Sequence, residues 1–103
     1  MMVARWSITA KFGYKQDLLK LMFRWLEDVG SQVGLTRESH RILTGSVGAL
    51  ESVIETETVV KDLSELNAMW DKLAAIPAHA QWGKDIEPLV VSGTNRWTIY
   101  RVL

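Results

Sequence analysis

Apolar residues recur along the chain with two different spacings. Every second residue from Ala4 to Phe12 is apolar, and this alternation predicts a first β-strand over residues 2–12 with two unlike faces. After Gly13 the apolar residues recur every three or four positions instead, which is typical of an amphipathic helix. We therefore expect the chain to begin with a strand and then a helix over residues 15–33.

Residues 37–60 predict two further strands joined by a hairpin. The stretch 37–44 has the length of a short strand, and residues 45–48 carry a glycine at each end, as hairpin connections often do. Residues 52–60 are dense in valine, isoleucine and threonine, whose β-branched side chains favour extended backbone.

The remaining residues predict two helical segments and a last strand. Asp62 and Glu65 fit a helix N-cap with an acid three positions on, and this helix is expected to end near Ile76. Residues 78–89 predict a short helical segment, and residues 96–102 predict the final strand. The order β, α, β, β, α, β is that of a ferredoxin-like α+β domain, in which helices cover one face of a four-stranded antiparallel sheet.

Size, charge and cysteine content restrict the possible partners. A chain of 103 residues that is 48% hydrophobic and 23% charged has the profile of one folded domain, over residues 1–103. The 12 basic and 12 acidic residues leave no net charge to attract nucleic acid or an anionic membrane. There is no cysteine for a disulfide or a thiol nucleophile. We see no export signal and no membrane span, and we expect a soluble, cytoplasmic protein.

One face of the predicted sheet has no helix to cover it. The last strand has two alternating sets of side chains, and either set could lie on that face. One set is Trp97, Ile99 and Arg101, the other is Thr98, Tyr100 and Val102, and each is only half polar. Soluble monomers seldom expose a contiguous apolar patch beyond roughly several hundred Å², so we predict a homodimer through this face. The alternative is that the last strand packs under the helices. From strand one the uncovered face receives Val3, Arg5, Ser7 and Thr9.

Several short segments resemble a known superfamily. They are residues 12–14, 55–57, 61–63, 66–70, 76–79 and 82–89. With them the chain resembles the dimeric α/β-barrel superfamily, in particular its antibiotic-biosynthesis-monooxygenase-like and NIPSNAP-like families. The resemblance covers nearly the whole chain and implies a ferredoxin-like fold whose two copies form a barrel. Members of the superfamily include cofactor-independent oxygenases of aromatic polyketides, haem-degrading enzymes and small isomerases, and the resemblance supports a fold better than an activity.

The haem-degrading members of this superfamily offer a direct comparison of residues. These enzymes share a set of three residues: an Asn on the first strand, a Trp at the end of the third strand and a His. In this chain the corresponding positions hold Ser7 and Val60, and only His79 matches. Haem degradation is therefore not expected, and we predict no cofactor.

The titratable residues supply few candidates for catalysis. His79 is the weak candidate for an acid or base, and the alternative is a helix-end histidine in water. His40 is expected to be a hydrogen-bonded structural residue. Glu55 and Glu57 share a strand face, either as an acid/base pair or as cross-strand partners of Arg5, Lys11 or Arg41. No spacing of histidines and acids indicates a metal site.

Five tryptophans are many for so short a chain. Trp6, Trp25 and Trp70 are interpreted as core residues, whereas Trp82 and Trp97, with Tyr100, could line an apolar pocket between helix and sheet. We predict that the protein binds a small apolar or aromatic ligand. The residues expected near that ligand are Ser7, His79, Trp82 and Tyr100.

Two other functions stay open on the sequence. One is a cofactor-independent monooxygenase-like enzyme, in which the pocket holds a phenolic substrate and His79 stabilises its anion. The other is a protein-interaction or regulatory module, which the wide apolar face of the first helix would favour.

Overall fold

The predicted alternation of strands and helices is present in the computed structural model, which describes residues 1–103. The strands are β1 (Met2–Thr9), β2 (His40–Thr44), β3 (Val53–Val60) and β4 (Arg96–Arg101), and the helices are α1 (Lys15–Asp28), α2 (Leu63–Ala74) and α3 (Pro77–Ile86). Short 3-10 turns follow α1 at Gly30–Val33 and α3 at Glu87–Leu89. None of the helices has the length and apolar character needed to cross a bilayer.

All four strands pair in one antiparallel sheet. The order across the sheet is β2, β3, β1, β4, so β1 lies at the centre between β3 and β4. This is the strand order of a ferredoxin-like domain with its helices on one face. The predicted α+β fold class is confirmed.

The first strand and first helix are both shorter than predicted. Regular pairing in β1 stops at Thr9, and Ala10 adds one isolated bridge. Phe12 is fully exposed, so its assignment to the buried alternation was wrong. Gly13, with φ of 86°, turns the chain out of the sheet before α1 begins. The helix ends at Asp28, and Gly34 closes the following 3-10 turn in the left-handed conformation.

The start of α2 follows the prediction. The Asp62 carboxylate accepts a hydrogen bond from the Glu65 backbone N–H at 2.9 Å, and the Glu65 carboxylate accepts one from the Lys61 backbone N–H at 2.5 Å. These reciprocal bonds satisfy backbone donors that the first helical turn leaves free. Pro77 then occupies the first turn of α3, where it costs no hydrogen bond.

The core lies between the sheet and the three helices and falls into two clusters. Ile8, Leu18 and Ile54 are buried in the first cluster, and Ala4 and Leu66 in the second. Partly buried tryptophans pack against the margin of both clusters, Trp6 and Trp82 against the first and Trp70 against the second. The space that they border is the site described next.

Candidate functional site

A cavity of about 630 Å³ opens between the helix-covered face of the sheet and the helices. Ten of its fourteen lining residues are hydrophobic, and none is an Asp, Glu, Lys or Arg. All five tryptophans of the chain line it, and its polar members are His40, His79, Thr56 and Thr58. The cavity is therefore aromatic and uncharged, with a few polar groups.

The sheet supplies the floor of the cavity through the register of its strands. Trp6 on β1 lies between Trp97 on β4 and Thr56 on β3. In a neighbouring row Thr58 pairs with His40 on β2. Successive side chains of a strand point to opposite faces, so these five residues share the face that the helices cover.

The tryptophans form two aromatic groups within the lining. Trp82 on α3 contacts Trp6 and Trp25, with ring centroids 6.0 and 5.8 Å apart. Trp70 on α2 meets Trp97 edge to face at 5.2 Å. Such tilted and edge-to-face contacts hold large rings in defined positions, and each helix contributes one indole to the cavity.

His79 belongs to the first aromatic group and not to solvent. It lies half-buried in the first turn of α3, stacked against Trp82 at 5.9 Å, and its Nδ1 accepts a hydrogen bond from Trp25 Nε1 at 3.0 Å. That bond leaves the ring proton of a neutral imidazole on Nε2. Burial lowers the pKa of His79, so the neutral form is the one present near neutral pH.

His40 is buried where β2 meets β3. Its Nδ1 hydrogen-bonds Thr58 Oγ1 at 2.7 Å, as expected of a structural histidine, but its Nε2 has no hydrogen-bond partner. Burial also lowers the pKa of this imidazole. His40 thus has a structural contact on one side of its ring and a free nitrogen on the other.

The sheet separates the four residues that the sequence placed in one site. His79 and Trp82 line the cavity. Ser7 pairs with Glu55 and lies on the opposite face, which no helix covers, and Tyr100 pairs with Val3 on the same face. Ser7 and Tyr100 are therefore not neighbours of the cavity.

The uncovered face, called the open face below, carries an apolar row and a charged row. Val3 lies between Val59 and Tyr100 in the apolar row. In the charged row Glu57 binds Arg5 through Oε2, at 2.9 and 3.1 Å, and binds Arg41 through Oε1. The hydrogen bond from Arg41, assisted by Arg5, outweighs burial and lowers the pKa of Glu57.

This ion network distinguishes the two interpretations of the acids on β3, an acid/base pair or cross-strand ion pairs. Glu57 is committed to two arginines on neighbouring strands, as the cross-strand interpretation predicts. Glu55 lies on the same face, next to Ser7 and Leu43. No group of three or more His, Cys, Asp or Glu side chains is placed to hold a metal ion.

The two cavity histidines are expected to make stability fall on mild acidification. Both have pKa values below the ordinary 6.5 in the folded chain, so below about pH 6.5 the unfolded chain binds more protons than the folded one. Their contribution is complete above that pH and is lost as the pH falls through their lowered pKa values. Glu57 acts in the same direction only below its ordinary pKa of 4.5.

Urea unfolding at several pH values between about 7.5 and 5.5 measures the histidine effect separately from that of Glu57. The parent should lose free energy of unfolding across this range. A variant with both His40→Gln and His79→Gln should have a flatter profile, because the chain contains no other histidine. Equal slopes in the two proteins would contradict the assignment.

Comparisons with known proteins place the fold. No protein-family model matches this chain, and no curated protein matches its sequence. The fold is similar to a NIPSNAP domain protein from Burkholderia xenovorans, with a TM-score of 0.75 and 17% identity over 100% of this chain and 95% of that one. A NIPSNAP family protein from Agrobacterium tumefaciens matches with a TM-score of 0.74 and 15% identity, over 99% of this chain and 85% of that one.

An oxygenase of known structure has a similar fold as well. SnoaB, a cofactor-independent oxygenase from Streptomyces nogalater, matches with a TM-score of 0.68 and 14% identity over 98% of this chain and 91% of that one. An antibiotic-biosynthesis-monooxygenase-like protein from Nitrosomonas europaea also matches, with a TM-score of 0.69 and 12% identity over 100% of this chain and 99% of that one. The expected resemblance to NIPSNAP-like and antibiotic-biosynthesis-monooxygenase-like proteins is thereby confirmed as a similarity of fold. Identities at this level carry no activity from those proteins to this chain.

Proposed function

We propose that this protein binds a small apolar or aromatic molecule in the cavity between its sheet and its helices. The observation that carries the proposal is that all five tryptophans of the chain line one cavity without a charged side chain. Its volume, about 630 Å³, lies within the range of roughly 300–1,000 Å³ typical of small-ligand sites.

Packing energetics favours binding over a structural void. Protein interiors normally close around large side chains with few gaps, and here five indoles border open space. Covering apolar surface contributes about 25 cal/mol for each Å² removed from water. An aromatic ligand would also gain ring contacts with Trp82 and Trp70, which belong to the two aromatic groups.

Fluorescence of N-phenylnaphthylamine, an uncharged probe that brightens in apolar sites, tests the proposal. We expect saturable binding of one probe per chain. Ala74→Trp adds bulk to the lining and should weaken binding at least about tenfold by occupying the space the probe needs. Ala75→Trp is the matched control, because Ala75 is exposed like Ala74 but lies outside the lining. Unsaturable fluorescence, or equal loss in both variants, would contradict cavity binding.

A cofactor-independent oxygenase is the second candidate function. Its support is the shared fold with SnoaB and the presence of one half-buried imidazole, His79, against Trp82 in the cavity. Oxygen consumption with a panel of hydroxylated aromatics separates the two functions, because a binding protein consumes none.

We further propose that a second copy of the chain covers the open face. Val59 and Tyr100 expose 40% and 52% of their surface there, beside Val3. In the charged row one carboxylate, Glu57, balances one of the two positive charges of Arg5 and Arg41. The exposed apolar row is the part of this face that isologous pairing would remove from water.

A further inference from the structure

Three buried polar atoms of this protein have no hydrogen-bond partner, and all three belong to residues that line the cavity. They are Nε2 of His40, Nε1 of Trp70 and Nε1 of Trp82. A buried polar group without a partner destabilises the fold, because it has lost its hydrogen bonds to water, and native proteins contain few such groups. Their concentration around one cavity indicates that the occupant of the cavity supplies the missing partners.

The chemistry of these atoms defines what the occupant must offer. An indole N–H only donates, so Trp70 and Trp82 each require an acceptor. His40 uses Nδ1 with Thr58, and its Nε2 donates or accepts according to the tautomer. Trp25 differs from the two free indoles, because its N–H is already bonded to His79. Among the buried atoms of the lining residues, two donors and one adaptable nitrogen therefore lack a partner.

The two donors lie in different parts of the lining. Trp70 is on α2 and contacts Trp97, whereas Trp82 is on α3 and contacts Trp6 and Trp25. A ligand with a single acceptor atom would have to bind the indole N–H of both aromatic groups through that atom. A ligand with two separate acceptors can bind each N–H through a different atom. This arrangement favours acceptors at two positions on the ligand.

The charge of the lining excludes ionised ligands. No Lys or Arg is present to pair with a carboxylate or phenolate, and no Asp or Glu is present to pair with an amine. Burying an unpaired ion costs far more free energy than one hydrogen bond returns. Neutral oxygen acceptors, such as ketone or ether oxygens, satisfy the indoles without that cost.

We propose that the ligand is an uncharged aromatic molecule with at least two hydrogen-bond-acceptor oxygens, and that Trp70 and Trp82 donate to them. The proposal rests on the proposed binding function and narrows its ligand class. The two nitrogens are shielded from solvent in the unliganded chain, so the indoles turn slightly as the ligand enters. Trp70 and Trp82 thereby determine specificity, and the other tryptophans provide apolar contact.

Three probes of similar shape separate the contributions. Para-diacetylbenzene carries two neutral acceptors, para-diisopropylbenzene carries none, and para-acetylbenzoate replaces one acceptor with a charge. Because isopropyl groups are the more hydrophobic, binding of para-diisopropylbenzene is compared between parent and variant rather than with the other two ligands. Para-acetylbenzoate should bind at least about tenfold more weakly than para-diacetylbenzene, since its carboxylate finds no counter-charge.

The variant is the double substitution Trp70→Phe and Trp82→Phe, which removes both donors and keeps aromatic rings. The affinity for para-diacetylbenzene should fall about tenfold, the loss expected for two hydrogen bonds. The affinity for para-diisopropylbenzene should change by less than about twofold. Trp25→Phe is the control. Trp25 lines the cavity, but its N–H already donates to His79, so this change should affect both ligands equally.

Indole N–H signals in a ¹H–¹⁵N NMR spectrum give a second measurement that does not depend on affinity. Five such signals are expected from five tryptophans. Para-diacetylbenzene should move those of Trp70 and Trp82 downfield, as new hydrogen bonds do, and para-diisopropylbenzene should not. Assignment follows from the signals that disappear in the Phe variants.

The outcomes distinguish the ligand class from the binding function. If para-diisopropylbenzene binds and the double variant weakens both neutral ligands equally, the ligand class is wrong while cavity binding stands. If para-acetylbenzoate binds most tightly, the requirement for an uncharged ligand is wrong. If no probe binds, including N-phenylnaphthylamine, both proposals fail.

Discussion

Val59→Asp is expected to convert the proposed dimer into a monomer at micromolar concentration. Val59 lies on the open face beside Val3, with 40% of its surface exposed in the single chain. A two-fold axis would bury two new carboxylates per dimer. Each costs at least about 1.4 kcal/mol to bury, because the nearest arginines, Arg5 and Arg41, already bind Glu57, so the dimer dissociation constant should rise at least about a hundredfold.

Sedimentation velocity and light scattering measure the change in mass. Val47→Asp is the matched control, because Val47 is 97% exposed between β2 and β3 and away from the paired strands. It should leave the dimer intact. Circular dichroism of both variants checks that the single chain still folds. A parent protein that is monomeric, or a Val59→Asp variant that stays dimeric, would show that a second copy does not cover this face.

The order of elements was predictable because periodicity is a local property. Alternation marks β1, and the change to helical spacing after Gly13 marks α1. The same pattern failed at Phe12, since it records which residues are apolar and does not record where the backbone leaves the sheet. The backbone leaves the sheet because Gly13, one residue later, has a left-handed conformation.

The position of the cavity was harder to predict because it depends on strand register. Two sets of β4 residues were equally acceptable for the open face. Pairing of Trp6 with Trp97 and of Val3 with Tyr100 resolves this choice, and a shift of one residue would exchange the two sets. The pattern of apolar and polar residues does not specify that register. Tyr100 was therefore grouped with Trp82, although the sheet separates them.

The aromatic lining was hidden by the similarity of core and cavity positions. Trp6, Trp25 and Trp70 were interpreted as packing residues, and all three lie on the inner faces of their elements. A stripe of apolar residues indicates which side is shielded from water, and it gives no sign of whether the shielded space is filled. The contact between Trp25 and His79 joins residues 54 positions apart, which no local spacing reveals.

Trp82→Ala should weaken binding of N-phenylnaphthylamine by about thirtyfold, whereas Tyr100→Ala should change it by less than about twofold. Trp82 contacts the rings of Trp6 and Trp25 in the cavity, and losing about 80 Å² of apolar contact with the probe corresponds to about 2 kcal/mol. Tyr100 lies on the far side of the sheet, where its ring contacts the Arg5 guanidinium at 5.5 Å.

The two aromatic residues thus act as controls for each other. Fluorescence titration reports the cavity, and sedimentation reports the open face, where Tyr100→Ala should weaken the dimer and Trp82→Ala should not. Thermal unfolding of both variants shows that the comparison is made on folded protein. Loss of probe binding in Tyr100→Ala alone would place the ligand between two sheets. The cavity between sheet and helices would then have no role in binding, since the sheet keeps these two side chains on opposite faces.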